Sequence, residues 1–162
     1  AWKTNDEECR WIAYGDSVVF HYNRHTELLE HSFTRLADFS NPPRLVSCKD
    51  PLEEEGCCSG VFHIDDASII FAASDALSHY VLMMYELSKS AEFESELMEL
   101  RMKRTSNSQL LQMAEKEVFK FYDDVLSPLL RSVDSEANFK EQMESLYVKK
   151  LIDIDDYTLA IL

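Results

Sequence analysis

The chain has 162 residues, 46% of them hydrophobic, with 16 Lys and Arg against 30 Asp and Glu and a formal net charge of −14. A chain of this length buries roughly 70% of its extended surface on folding, enough for one core without staples. Three Gly and four Pro argue against disorder. So acidic a surface repels phosphate backbones and anionic bilayers, which argues against nucleic acid as a partner and against direct membrane insertion.

Residues 1–10 are polar apart from Trp2 and Cys9 and read as a loose lead-in, before a single domain over 11–152 and a tail over 153–162. WIAYGDSVVFHY (11–22) reads as a first β-hairpin joined by Gly15-Asp16, where Gly supplies the positive φ of a short turn. In its second strand Val18, Phe20 and Tyr22 share one face and Val19 and His21 the other, so that strand is expected to be covered on both sides. Thr26 is placed to cap a helix reaching Phe39, with Leu29, Phe33 and Leu36 as its apolar stripe, and Ser40-Asn41-Pro42-Pro43 stops it. Residues 44–48 form a short candidate strand. Residues 49–60, with Pro51, three consecutive Glu and Gly56, read as a loop. VFHIDDASIIF (61–71) is the stretch on which the rest is expected to pack, a central hairpin whose apolar runs flank Asp65-Asp66.

Ser74 or Asp75 caps the next helix, which carries Leu77, Tyr80, Val81, Met84 and Leu87. Whether it breaks near 88–90 or runs on to 104 is open, since Phe93, Leu97 and Leu100 prolong its pattern. Thr105-Ser106-Asn107-Ser108 is a turn. A long helix is expected over 109–133, with Leu111, Ala114, Val118, Phe121, Val125 and Leu129 as its stripe and Pro128 kinking or ending it. A last helix, capped by Asp134 or Ser135, carries Phe139, Met143, Leu146 and Tyr147. DIDDYTLAIL (153–162) then ends the chain as a strand or as a piece that docks on a partner. The predicted class is α+β: about five antiparallel strands in two hairpins, packed with four or five helices in a helix-rich C-terminal half.

Motifs that carry chemistry are missing. His21, His25, His31, His63 and His79 show no helical metal-ligand spacing, and Cys9, Cys48, Cys57 and Cys58 contain no C-x-x-C. No metal and no cofactor is therefore expected, and the thiols read as reduced, in a cytoplasmic setting. Asp153, Asp155 and Asp156 begin like a calcium loop, but the Gly and the closing Glu of such a loop are missing, which leaves a solvated turn. Gly-rich phosphate loops and nucleophile elbows are likewise missing. No signal peptide and no apolar run near the roughly 20 residues of a membrane span is visible, and a start at Ala1 fits an excised domain.

Protein–protein interaction is the remaining expectation, through a sheet edge or an amphipathic helix face. The candidate binding residues are Trp11, Tyr157, Leu159, Ile161 and Leu162, with the 109–133 helix as a further face. One alternative is an enzyme whose polar residues meet only in the fold, marked by a pocket holding His21, His63 and an Asp. A second alternative is an all-helical adaptor of the apoptotic-regulator type, which allows almost no strand.

Three segments carry a family resemblance. VVFHYNRHTELLEHSFTRLADF (18–39) is similar to a strand ending in an aromatic run before a first helix, VFHIDDASIIFAAS (61–74) to a late sheet hairpin, and ALSHYVLMMYELSKS (76–90) to the long packing helix that follows it. Together, over 11–90, they resemble the longin-like domains of Rab exchange-factor complexes, of the Hermansky–Pudlak and Inturned–Fuzzy type. The resemblance implies a non-enzymatic module in membrane trafficking or ciliary signalling, which pairs with another longin domain and contacts a small GTPase.

Overall fold

The computed structural model describes residues 1–33, 35–40, 56–103 and 105–162. The fold class is α+β. Strands β1 (Trp2–Lys3), β2 (Glu8–Tyr14) and β5 (Cys57–His63) form one antiparallel sheet in the order β1-β2-β5. Strands β3 (Val18–Asn23), β4 (Leu28–His31), β6 (Ser68–Ala73) and β7 (Leu159–Ile161) form a second, in the order β4-β3-β6-β7. Five helices follow β6: α1 (Asp75–Ser88), α2 (Glu94–Met102), α3 (Ser106–Ala114), α4 (Ser127–Ser132) and α5 (Glu136–Val148).

Neither expected hairpin exists. Gly15 does take a positive φ of 75°, but β2 and β3 enter different sheets, β2 pairing with β5 and β3 with β6. The turn at Asp65 likewise carries the chain from β5 in one sheet to β6 in the other. The physical reason is two-sided apolarity. A strand such as β3, apolar on both faces, needs cover on each, and all six of its residues are buried. Two layers meet that need. Between the sheets lies a small core of Cys9, Ala13, Val19, Phe62, Ile64 and Ile70. On the other face Val18, Phe20, Tyr22 and Phe71 join the larger core with the helices, and the Phe20 and Phe71 rings stack at 4.8 Å.

The helix expected over 26–39 is instead a strand and a turn. Asn23 Oδ1 accepts from the backbone N–H of His25 and Thr26, Glu27 takes a φ of 55°, and β4 returns along β3. Leu29 is buried while Leu28 and Glu30 are exposed, the alternation of a strand. Only a 3₁₀ turn, Leu36–Ser40, follows. The lead-in is ordered too, as β1 pairs with β2 and Cys9 is fully buried. Residues 44–48 lie outside the described residues, and of the expected loop 49–60 the last four residues belong to β5.

The break near Ser88 separates α1 from α2. The helix expected over 109–133 is interrupted: α3 ends at Ala114, Val118 is fully exposed, and a π-helical segment, Phe121–Leu126, leads into α4. Pro128 lacks the N–H that an α register would direct at Asp124, so the bonding shifts there rather than propagating. Ser135 caps α5 by accepting from the N–H of Asn138. No helix among the described residues is long and apolar enough to cross a membrane.

Candidate functional site

The strand register gathers three aspartates that are far apart in sequence. Val18 pairs with Ala73, and Ala73 with Leu159, so the start of β3, the end of β6 and the start of β7 lie side by side at one end of the larger sheet. Asp16 stands just before β3, Asp75 opens α1 immediately after β6, and Asp155 lies on the run into β7. Ser74 fixes this junction. It occupies the N-cap of α1 without capping it; its Oγ donates to the Asp156 carbonyl and accepts from the Thr158 N–H, both at 3.0 Å.

A cavity of about 390 Å³ opens there, lined by Asp75, His79, Thr105, Asn107, Asp153 and Asp155 among others, with Phe39 and Leu110 as apolar walls. Burial, then the charges of Asp16 and Asp155, push the Asp75 carboxyl up to about 6. His79, one turn along α1, is 4% exposed, and burial drives its imidazole down to about 4, so it is neutral near pH 7. Its Nε2 and the Thr105 Oγ1 have no hydrogen-bond partner among the described residues. Crowded carboxylates, a neutral imidazole and a bare hydroxyl facing one cavity mark a polar site that lacks its complement. Among the described residues no three ligand atoms at this cavity lie within 4.8 Å of one another, so a magnesium- or manganese-type ion would be held here through one or two carboxylates with water completing its shell.

Another group, His25, Asp65 and Asp66, has ligand atoms within 4.8 Å of one another. All three are exposed, and Asp65 already has structural work: it accepts from Asn23 Nδ2, from the Ala67 N–H and from Ser68 Oγ, with Asn23 the main cause of its lowered pKa. It is explained as the brace of the β5–β6 turn.

The expected enzyme pocket does not form. His21 lies between the sheets, its ring nitrogens 2.8 Å from Glu30 Oε2 and 2.8 Å from Ser68 Oγ, whereas His63 is exposed on the smaller sheet. The expected binding residues separate as well. Trp11 packs between the sheets against Phe62 and Gly60. Tyr157 and Leu159 pack on the larger core, while Ile161 on edge strand β7 and Leu162 just beyond it stay exposed. Asp16, Asp75 and His79 escaped notice because each had a local explanation as turn, cap or core residue. Asp16, Asp75 and Asp155 do share a signal, an aspartate near an apolar strand three times over, in YGDSVVF, IIFAASD and DDYTLAIL.

Comparison with protein-family models, with curated proteins and with solved structures gives no match.

Proposed function

We propose that the cavity at the end of the larger sheet binds a hard divalent cation and uses it for hydrolysis of an anionic ester. The observation that supports this reading is the convergence of Asp75 and Asp155 on a cavity also lined by His79, whose Nε2 has no partner among the described residues. An ion there would offset the burial, and after it the repulsion from Asp16 and Asp155, that raise the Asp75 pKa. Held by Asp75 and Asp155, such an ion would also let an acidic chain accept a phosphate-bearing substrate and would lower the pKa of a bound water. Neutral His79 supplies a hydrogen-bond partner to that water or to the substrate. The test is a thermal-unfolding titration with Mn²⁺ and Mg²⁺, followed by turnover of 4-nitrophenyl phosphate. Saturable stabilisation that disappears in Asp75→Asn and Asp155→Asn is expected; equal response in both variants and the parent sinks the reading.

A second reading, a non-enzymatic interaction domain, draws on the free edge of β7. This strand ends the β4-β3-β6-β7 sheet, with Ile161 and Leu162 exposed beside it. An incoming strand can extend a sheet at such an edge. Following the longin-like resemblance, the partner is another longin domain or a small GTPase. Ile161→Asp with Leu162→Asp should abolish recovery of such a partner from cytosol and leave unfolding unchanged. Recovery undiminished in that double variant would remove β7 as the contact.

A further inference from the structure

A second cavity, of about 490 Å³, lies on the opposite flank of the larger core, between the β3–β4 turn, the end of α1 and the π-helical segment. Its wall is aromatic. Tyr122 stacks on the buried Tyr22 at 5.7 Å with 6° between the rings, Tyr85 meets Phe121 edge-on at 5.2 Å, and Phe119 is half-buried at the rim. Its charge runs against that of the molecule. Arg24, Lys89 and Lys120 line it with Glu27 and Asp123, three cations to two carboxylates in a chain with 30 acids and 16 bases. Lys120 is engaged with Asp123 at 4.0 Å, and Lys89 sits over the Tyr85 ring. The Arg24 guanidinium has no ion pair among the described residues, although its backbone N–H is bonded to the Ala67 carbonyl. A π-helical stretch is a rare local form that recurs at functional sites, and here it carries both Phe121 and Tyr122.

We infer that this cavity binds a planar aromatic ring bearing a phosphate, of nucleoside monophosphate size. The ring stacks on the wall formed by Tyr122 and Phe119, as bases stack on aromatic side chains in single-strand binders. The phosphate is met by the bidentate guanidinium of Arg24 and the ammonium of Lys89. A polynucleotide stays excluded, because a chain with a net charge of −14 repels a long phosphate backbone.

The test is calorimetric titration with AMP, adenosine and ribose 5-phosphate in EDTA, so that any cation site at the other end of the sheet is silent and the outcome is independent of it. Side-chain NMR of Arg24 and of the Tyr122 ring locates the site. AMP should bind at least tenfold more tightly than either half-ligand. Arg24→Ala with Lys89→Ala should lose that advantage at an unchanged unfolding temperature, and Tyr122→Leu should lower AMP affinity towards that of ribose 5-phosphate. Ribose 5-phosphate binding as well as AMP, affinity indifferent to Arg24 and Lys89, or shifts away from Arg24 and Tyr122 would overturn the inference.

Discussion

The larger sheet is clamped between helices on one face and the smaller sheet on the other, whereas the smaller sheet buries one face and leaves Trp2, Ile12 and Val61 exposed. The two cavities described above open beside the clamped sheet: one at the end where β3, β6 and β7 align, the other beside β3 and α1. Precise placement of charged groups needs a scaffold whose strands cannot shift, and two-sided burial supplies it. The smaller sheet provides cover rather than chemistry.

This contrast can be broken in graded steps. Phe71→Ala removes a fully buried ring stacked on Phe20 and should cost about 3–5 kcal/mol, read by denaturant unfolding as a loss shared by every probe. A loss seen only at the smaller sheet would mean that the larger one is not the cooperative core.

The next effect separates the helical layer by pH. Burial first and Glu96 second, against Arg35, push Glu86 on α1 up to about 8 from an ordinary 4.5, while burial lowers His79 to about 4 from 6.5. The raised carboxyl gives stability that is full below 4.5 and lost as pH rises to about 8. The lowered imidazole gives stability that is full above 6.5 and lost as pH falls to about 4. The two slopes cancel between 4.5 and 6.5, leaving a decline above 6.5. Glu86→Gln should abolish that decline, a gain of about 2 kcal/mol at pH 8 relative to pH 6.5 at 1.36 kcal/mol per pH unit. An unchanged alkaline slope in chemical unfolding would exonerate Glu86.

Gly60→Ala probes the smaller sheet. A Cβ there would lie 2.5 Å from Cζ2 of Trp11, and pushing the indole aside should cost about 1–3 kcal/mol with a change in tryptophan fluorescence. Least of all, Val61→Thr on the open face should stay within about 0.5 kcal/mol, and a larger loss would reveal cover on that face.

Element type was legible where one periodicity dominated. Val18 to Tyr22 announced a strand with two apolar faces, and Ser135 announced α5. Pairing was not legible, because Gly15-Asp16 and Asp65-Asp66 give the same local turn signal whether the next strand returns alongside or crosses to another layer. The 26–39 segment misled for a related reason: Leu29, Phe33 and Leu36 fit a helical stripe, but Asn23 and Glu27 build a reversal whose hydrogen bonds are visible only in three dimensions. The acid pocket was hidden because Asp75 and Asp155 come together through register, which no local spacing encodes.

The crossing of both strand pairs also governs how the chain can fold. Every β2–β5 and β3–β6 rung joins residues 43 (Tyr14 with Cys57) to 55 (Glu8 with His63) positions apart, and β7 closes on β6 across 86 (Ala73 with Leu159). Such loops cost entropy before any contact repays it, so formation should be slow for a chain of this size. During synthesis β2 and β3 lack these long-range partners until residues 57–73 have emerged. β7, which follows the run that brings Asp153 and Asp155 to the acid pocket, is the last of these strands to be made.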